Sequence, residues 1–118
     1  MERSMIWYPK CSTCQRARKW LLEQGVEVPL RDVKEQPPTL EELRQWHRAS
    51  GLALKKFFNT SGLVYRSMDL KNKLPGLSEE EQLKLLASDG MLVKRPILVT
   101  EQGVCPGFRE EDWKNLLG

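Results

Sequence analysis

The spacing of apolar positions changes several times along this chain, and each change marks an element. Residues 4–8, Ser4 to Tyr8, form a short run that reads as a buried strand and stops at Pro9. Ala17, Trp20, Leu21 and Gln24 then fall on one helical face. Ser12 and Gln15 have the spacing of a capping box, which predicts a helix start near Ser12, and Gly25 is placed to end that helix. Val26 to Leu30 reads as a second short strand. A strand, a helix and a strand in about 30 residues predict a βαβ unit with a right-handed crossover.

A proline-marked break at 35–38 is followed by a helix capped by Thr39, with Glu42 three residues on. Leu40, Leu43, Trp46 and His47 line its inner face, and Gly51 ends it. His47 on that apolar side reads as structural. Leu52 to Phe58 and Leu63 to Leu70 read as short helical pieces, separated by the polar turn Asn59-Thr60-Ser61-Gly62. After the break at Pro75-Gly76, Ser78 and Glu81 open another helix. Its buried stripe is Leu83, Leu86 and Ala87, and Gly90 sits past its end. Ile97 to Thr100 reads as a strand, Glu101-Gln102-Gly103 as a turn, and Val104-Cys105 as the hairpin partner. Arg109 to Leu117 is a terminal helix, with Trp113, Leu116 and Leu117 facing inward. The order is βαβ, then helices, then ββα. This is the outline of an α/β, thioredoxin-like fold, expected as one domain over 1–118 with a helical insert at about 39–88.

Composition narrows the classes. The 118 residues are 40% hydrophobic and 30% charged, as in an ordinary globular domain. No apolar run approaches the ~20 residues of a membrane span, and the first residues lack the apolar stretch of a secretory signal. The expected location is the cytoplasm, with no membrane partner. Asn59-Thr60-Ser61 matches a glycosylation sequon that is accidental in that setting. The net charge of +3 is mild and not gathered into one run. It does not call for nucleic-acid binding, and it suits a small anionic partner or an acidic protein surface. Nothing demands more than a monomer.

The chemistry gathers at Cys11 and Cys14, which follow the first strand at once. The N–H groups and dipole of a helix start stabilise a thiolate, so Cys11 at the cap is the expected nucleophile, with Lys10 beside it. Cys14, one turn on, is placed to resolve a disulfide. Two alternatives stand beside this reading. A zinc site has two ligands here, and the remaining candidates, Cys105 and His47, have no paired spacing, so no metal is expected. The two cysteines could also be small buried hydrophobes. Cys105 next to Pro106 reads as packing, and Trp7, Trp20, Trp46 and Trp113 read as core and rim anchors. In a thioredoxin-like fold, the proline that begins the third strand often follows a cis bond and lies against the active cysteine. That expectation brings Arg95 and Pro96 to Cys11, where arginine would lower the thiol pKa and bind an anion.

With these residues in view, the sequence resembles the arsenate reductase (ArsC)/Spx family over essentially its whole length. The resemblance is carried by "YPKCSTCQRARKWL" at 8–21, "PPTLEEL" at 37–43, "KKFFNTSGLVYR" at 55–66, "LLASDGMLVKRPILVT" at 85–100 and "GF" at 107–108. It is nearest to the small arsenate-reductase-like and Spx/MgsR-like members. It implies a thiol-dependent oxidoreductase with no bound cofactor, recycled by glutathione and glutaredoxin or by thioredoxin. Cys11 matches the nucleophile and Arg95 one of three oxyanion-binding arginines. The first of the other two is replaced by Asn59. The last falls near Gly107-Phe108, with Arg109 offset. The expected substrate-binding set is Lys10, Ser12, Asn59, Thr60 and Pro96. Cys14 resembles the CxxC switch of Spx-type regulators, which implies the RNA polymerase α-subunit as an alternative partner, with Gly51 near the position of a surface glycine in those regulators.

Overall fold

A computed structural model of the chain describes residues 2–118. Its four strands lie in the order β2-β1-β3-β4, with β1 at Ser4–Trp7, β2 at Leu30–Asp32, β3 at Ile97–Thr100 and β4 at Gly103–Pro106. β2 runs parallel to β1, whereas β3 is antiparallel to both β1 and β4. This is the thioredoxin-like arrangement expected from the element order.

The alternation along the strands builds two cores. Met5, Trp7, Leu98 and Cys105 point to one face and meet Cys14, Ala17, Trp20 and Leu21 of α1 (Ser12–Glu23) and Trp113 of α6 (Glu110–Leu117). Ile6, Ile97, Val99 and Val104 point to the other face, which the helices between β2 and β3 cover. These are α2 (Leu40–Ser50), the short α3 (Leu63–Ser67) and α4 (Leu70–Lys73), and α5 (Glu79–Ser88), with 3-10 turns at Leu54–Phe57, Leu74–Gly76 and Gly90–Leu92. All four tryptophans are buried, as anchors should be.

The second strand differs from the expected Val26 to Leu30. Val26 N–H is taken by the Leu21 carbonyl at the end of α1 (3.0 Å), and Pro29 has no N–H to offer a ladder. Val26 and Val28 instead pack against the α1 and α6 core. Pairing with β1 therefore starts at Leu30, opposite Met5.

Two capping boxes form as expected, Thr39 with Glu42 and Ser78 with Glu81. Gly51 ends α2 in the left-handed region at φ 67°, where a side chain would be strained. Glu42 has a second role. Arg31 on β2 grips it with two hydrogen bonds of 2.6 and 2.8 Å and also donates to the Gln36 and Pro37 carbonyls, tying β2 to the start of α2. Chiefly through Arg31, with the Thr39 cap adding, the Glu42 carboxyl falls to about 2. Its folded pKa lies below the ~4.3 of an unfolded glutamate, so the stabilisation is complete above that value and is lost as pH falls toward 2. The pair is partly exposed, which limits its worth to about 1 kcal/mol or less. Urea unfolding at pH 6 should show the wild type more stable than Glu42→Gln, with the gap closing by pH 2.5. An equal gap at both pH values would refute the ionic contribution.

Candidate active site

Cys11 follows a tight turn in which its N–H donates to the Tyr8 carbonyl at 3.0 Å. It occupies the N-cap of α1 in an extended conformation, φ −91° and ψ 120°. The expected capping box at Ser12 and Gln15 does not form. Cys11 holds the cap position, and the Gln15 amide reaches back to the Pro9 carbonyl at 2.6 Å. No side-chain hydrogen bond closes the helix start. The first-turn N–H groups therefore remain to favour negative charge on the Cys11 sulfur.

Cys14 is fully buried one turn on, and its sulfur accepts from the Tyr8 N–H at 3.5 Å. All three cysteines are free thiols. Burial is the largest single influence on Cys11 and disfavours its thiolate. The Cys14 N–H, the Cys14 thiol, the Arg95 charge and the Thr13 N–H together outweigh it and hold the pKa below the usual cysteine value. Burial pushes Cys14 the other way, up to about 12, and the Cys11 sulfur and its charge reinforce the rise. The pair is thus unequal: Cys11 ionises before Cys14, which keeps its proton. Cys105 is raised by burial and by Asp112, and its thiol points at the Gly107 carbonyl, 3.6 Å away.

Arg95 precedes a cis bond to Pro96. Its guanidinium lies 5.1 Å from the centre of the Tyr8 ring, and Nη1 reaches the Met91 carbonyl at 3.4 Å. Tyr8 therefore contacts all three groups: its carbonyl accepts from Cys11, its N–H donates to Cys14, and its ring carries Arg95.

The helical insert supplies the opposite wall. Phe58 pairs with Val93 as a single antiparallel bridge. Asn59 N–H donates to Leu92 and Lys94 N–H to Phe57, both at 2.7 Å. These bonds close a cleft of about 590 Å³. Cys11 and Thr13 line one side; Lys55, Lys56, Phe58, Asn59, Thr60 and Ser61 line the insert side. Lys94, Arg95 and residues 106–109 complete it. The lip at Gly107 is fixed by the Gly107 N–H donating to the Pro96 carbonyl (2.7 Å) and by Trp113 Nε1 donating to the Gly107 carbonyl (3.0 Å). Gly107 holds φ 87°, which a side chain rarely adopts.

Of the residues expected at the site, Cys11, Arg95, Asn59 and Thr60 meet in this cleft. Lys10 and Ser12 do not line it, because both are exposed on the turn and outer face around the cap. Pro96 is buried beneath it, and Cys14 lies behind Cys11 in the core. Lys55, Lys56 and Lys94 are cleft residues that the sequence analysis does not single out. Arg109, offset from the resemblance, does line the cleft. The lining thus contains five cations, Lys55, Lys56, Lys94, Arg95 and Arg109, and no carboxylate. His47 stands elsewhere, half-buried against Phe57 and 3.5 Å from Glu79. Among the described residues, no group of three or more His, Cys, Asp or Glu side chains could hold a metal, and no helix is long and apolar enough to cross a membrane.

Comparison with known proteins places this geometry. The sequence matches the model of the ArsC family over residues 6–116. It is 53% identical over 114 residues to the uncharacterized protein YusI of Bacillus subtilis (strain 168), covering 97% of each chain. A crystal structure of an ArsC family related protein from Bacteroides fragilis superposes with a TM-score of 0.95 at 52% identity, covering 98% of both chains. The global transcriptional regulator Spx 2 of Oceanobacillus iheyensis is 27% identical over 95% of this chain and 82% of its own.

Proposed function

The chain belongs to the ArsC family, and from that premise we propose that it is a cytoplasmic thiol-dependent oxidoreductase of the arsenate reductase type. The observation that carries this reading is the unequal cysteine pair at the start of α1, with Cys11 facing a cation-lined cleft and Cys14 buried behind it. Cys11 thiolate attacks one sulfur of a substrate disulfide. That S–S bond breaks, one substrate half leaves as its thiolate, and the other stays bonded to Cys11. Cys14 then gives up its proton and attacks the Cys11 sulfur, which releases the second half and forms the Cys11–Cys14 disulfide. The first step assists the second. Once Cys11 is bonded its charge is gone, and with it part of what holds the Cys14 pKa near 12. Arg95 holds an anionic group of the substrate beside Cys11. An external thiol, from glutaredoxin with glutathione or from thioredoxin, returns the pair to the reduced state, and no bound cofactor is needed.

The test is a trapping experiment. Cys14→Ser incubated with a small disulfide should accumulate a mixed disulfide on Cys11, visible as an added mass, whereas wild type should pass on to the internal disulfide. Failure of Cys14→Ser to retain any adduct would remove the resolving role.

The Spx relatives favour a second reading, a redox-sensing regulator that acts through the RNA polymerase α-subunit when Cys11 and Cys14 are oxidised. Gly51 is exposed, as a contact glycine must be, but its left-handed conformation at the end of α2 explains it equally well. The charged cleft beside Cys11 has a direct use in the enzyme, so the enzyme is the reading preferred.

A further inference from the structure

The five cations of the cleft come from three separate walls. Lys55 and Lys56 are exposed on the Leu54–Phe57 turn of the insert, Lys94 and Arg95 precede β3, and Arg109 caps α6. None of the five is in an ion pair among the described residues, where the pairs involve Arg31, Arg44 and His47. Like charges around one concavity raise its potential and draw in an anion. Size narrows the choice of anion. Clefts of about 300–1,000 Å³ take small molecules of drug or cofactor size. A single tetrahedral oxyanion at Cys11 would fill only a fraction of the roughly 590 Å³ and would leave the insert wall unused.

We propose that the cleft selects a low-molecular-weight disulfide carrying anionic groups, with Lys55 and Lys56 holding an anion remote from the sulfur that Cys11 attacks. This rests on the oxidoreductase reading and specifies its substrate class. The substrate disulfide is reduced to two thiols, and the two cysteines are oxidised to one disulfide, which a thioredoxin-type dithiol reduces again. Carboxylate and phosphate share the chemistry the lysines recognise. Because the lysines belong to the Leu54–Phe57 turn of the insert and not to the helix start that holds Cys11, they change capture of the substrate and leave the reactivity of the sulfur alone.

The experiment compares the second-order rate constant of Cys11 with three disulfides: oxidised glutathione for carboxylates, coenzyme A disulfide for phosphates, and neutral 2-hydroxyethyl disulfide. Wild type is set against the double variant Lys55→Gln/Lys56→Gln and the charge-keeping Lys55→Arg/Lys56→Arg. The Gln variant should lose about tenfold with one or both anionic disulfides and nothing with the neutral one, and the Arg variant should recover most of the loss. The anion that suffers more names the natural group. Equal losses on all three disulfides, or none on any, overturn the inference and leave the oxidoreductase standing. A wild-type Cys11 that reacts with no disulfide overturns both.

Discussion

Cys11→Ser should abolish thiol–disulfide exchange, with turnover in a coupled assay of NADPH oxidation falling roughly a thousandfold or more. The reason is that the chain has no substitute thiolate. Burial is the largest cause that keeps Cys14 protonated, and Cys11→Ser leaves that burial in place. Cys105 is also raised and buried, against Gly107 on the core side of the sheet. Alkylation at pH 7 should accordingly show one fast thiol in wild type, one in Cys14→Ser and none in Cys11→Ser. A fast thiol surviving in Cys11→Ser would assign the nucleophile to Cys14 and reverse the roles argued above. Activity surviving without a fast thiol would place the chemistry outside the pair.

Trp113→Ala should cost about 3–5 kcal/mol of folding stability. That is a large share of the 5–15 kcal/mol typical of a whole domain. Trp113 is completely buried, with its ring edge-on to Phe108 at 5.0 Å and to Trp20 at 6.3 Å. The change removes the one fully buried tryptophan of the α1/α6 core and leaves the Gly107 carbonyl without its indole donor. Trp113→Phe keeps most of the packing and should cost clearly less. Denaturant unfolding measures both variants. A loss below about 1 kcal/mol for Trp113→Ala would mean that α6 repacks over the gap. The cost extends beyond stability, because the Gly107 lip borders the cleft.

Much of this was readable from residue order. Thr39 with Glu42 and Ser78 with Glu81 are local rules whose partners sit within four residues, and both formed. The cysteine pair followed by a helix pointed to Cys11 because a helix start acts on a thiolate over a single turn. The rule failed at Ser12, where the same spacing described a cap that Cys11 itself occupies. It failed again at β2, because Val26 could serve a helix end or a ladder and only the fold decides which. The lysines of the cleft were beyond reach for another reason. Lys55 and Lys94 are far apart in sequence, and each alone is indistinguishable from a solvated surface charge. Only the bridge between Phe58 and Val93 sets them facing one cavity.

That bridge has a consequence for how such proteins diverge. The insert is joined to the segment before β3 by main-chain atoms, Asn59 to Leu92 and Lys94 to Phe57. Main-chain bonds of this kind are indifferent to the side chains at 55, 56, 60 and 61. Mutation can therefore recolour the wall that faces the ligand without moving the helix start that sets the reactivity of Cys11. Selection for a new substrate and selection for a competent sulfur act on different stretches of the gene, and an ancestor with one chemistry can give rise to descendants with many preferences.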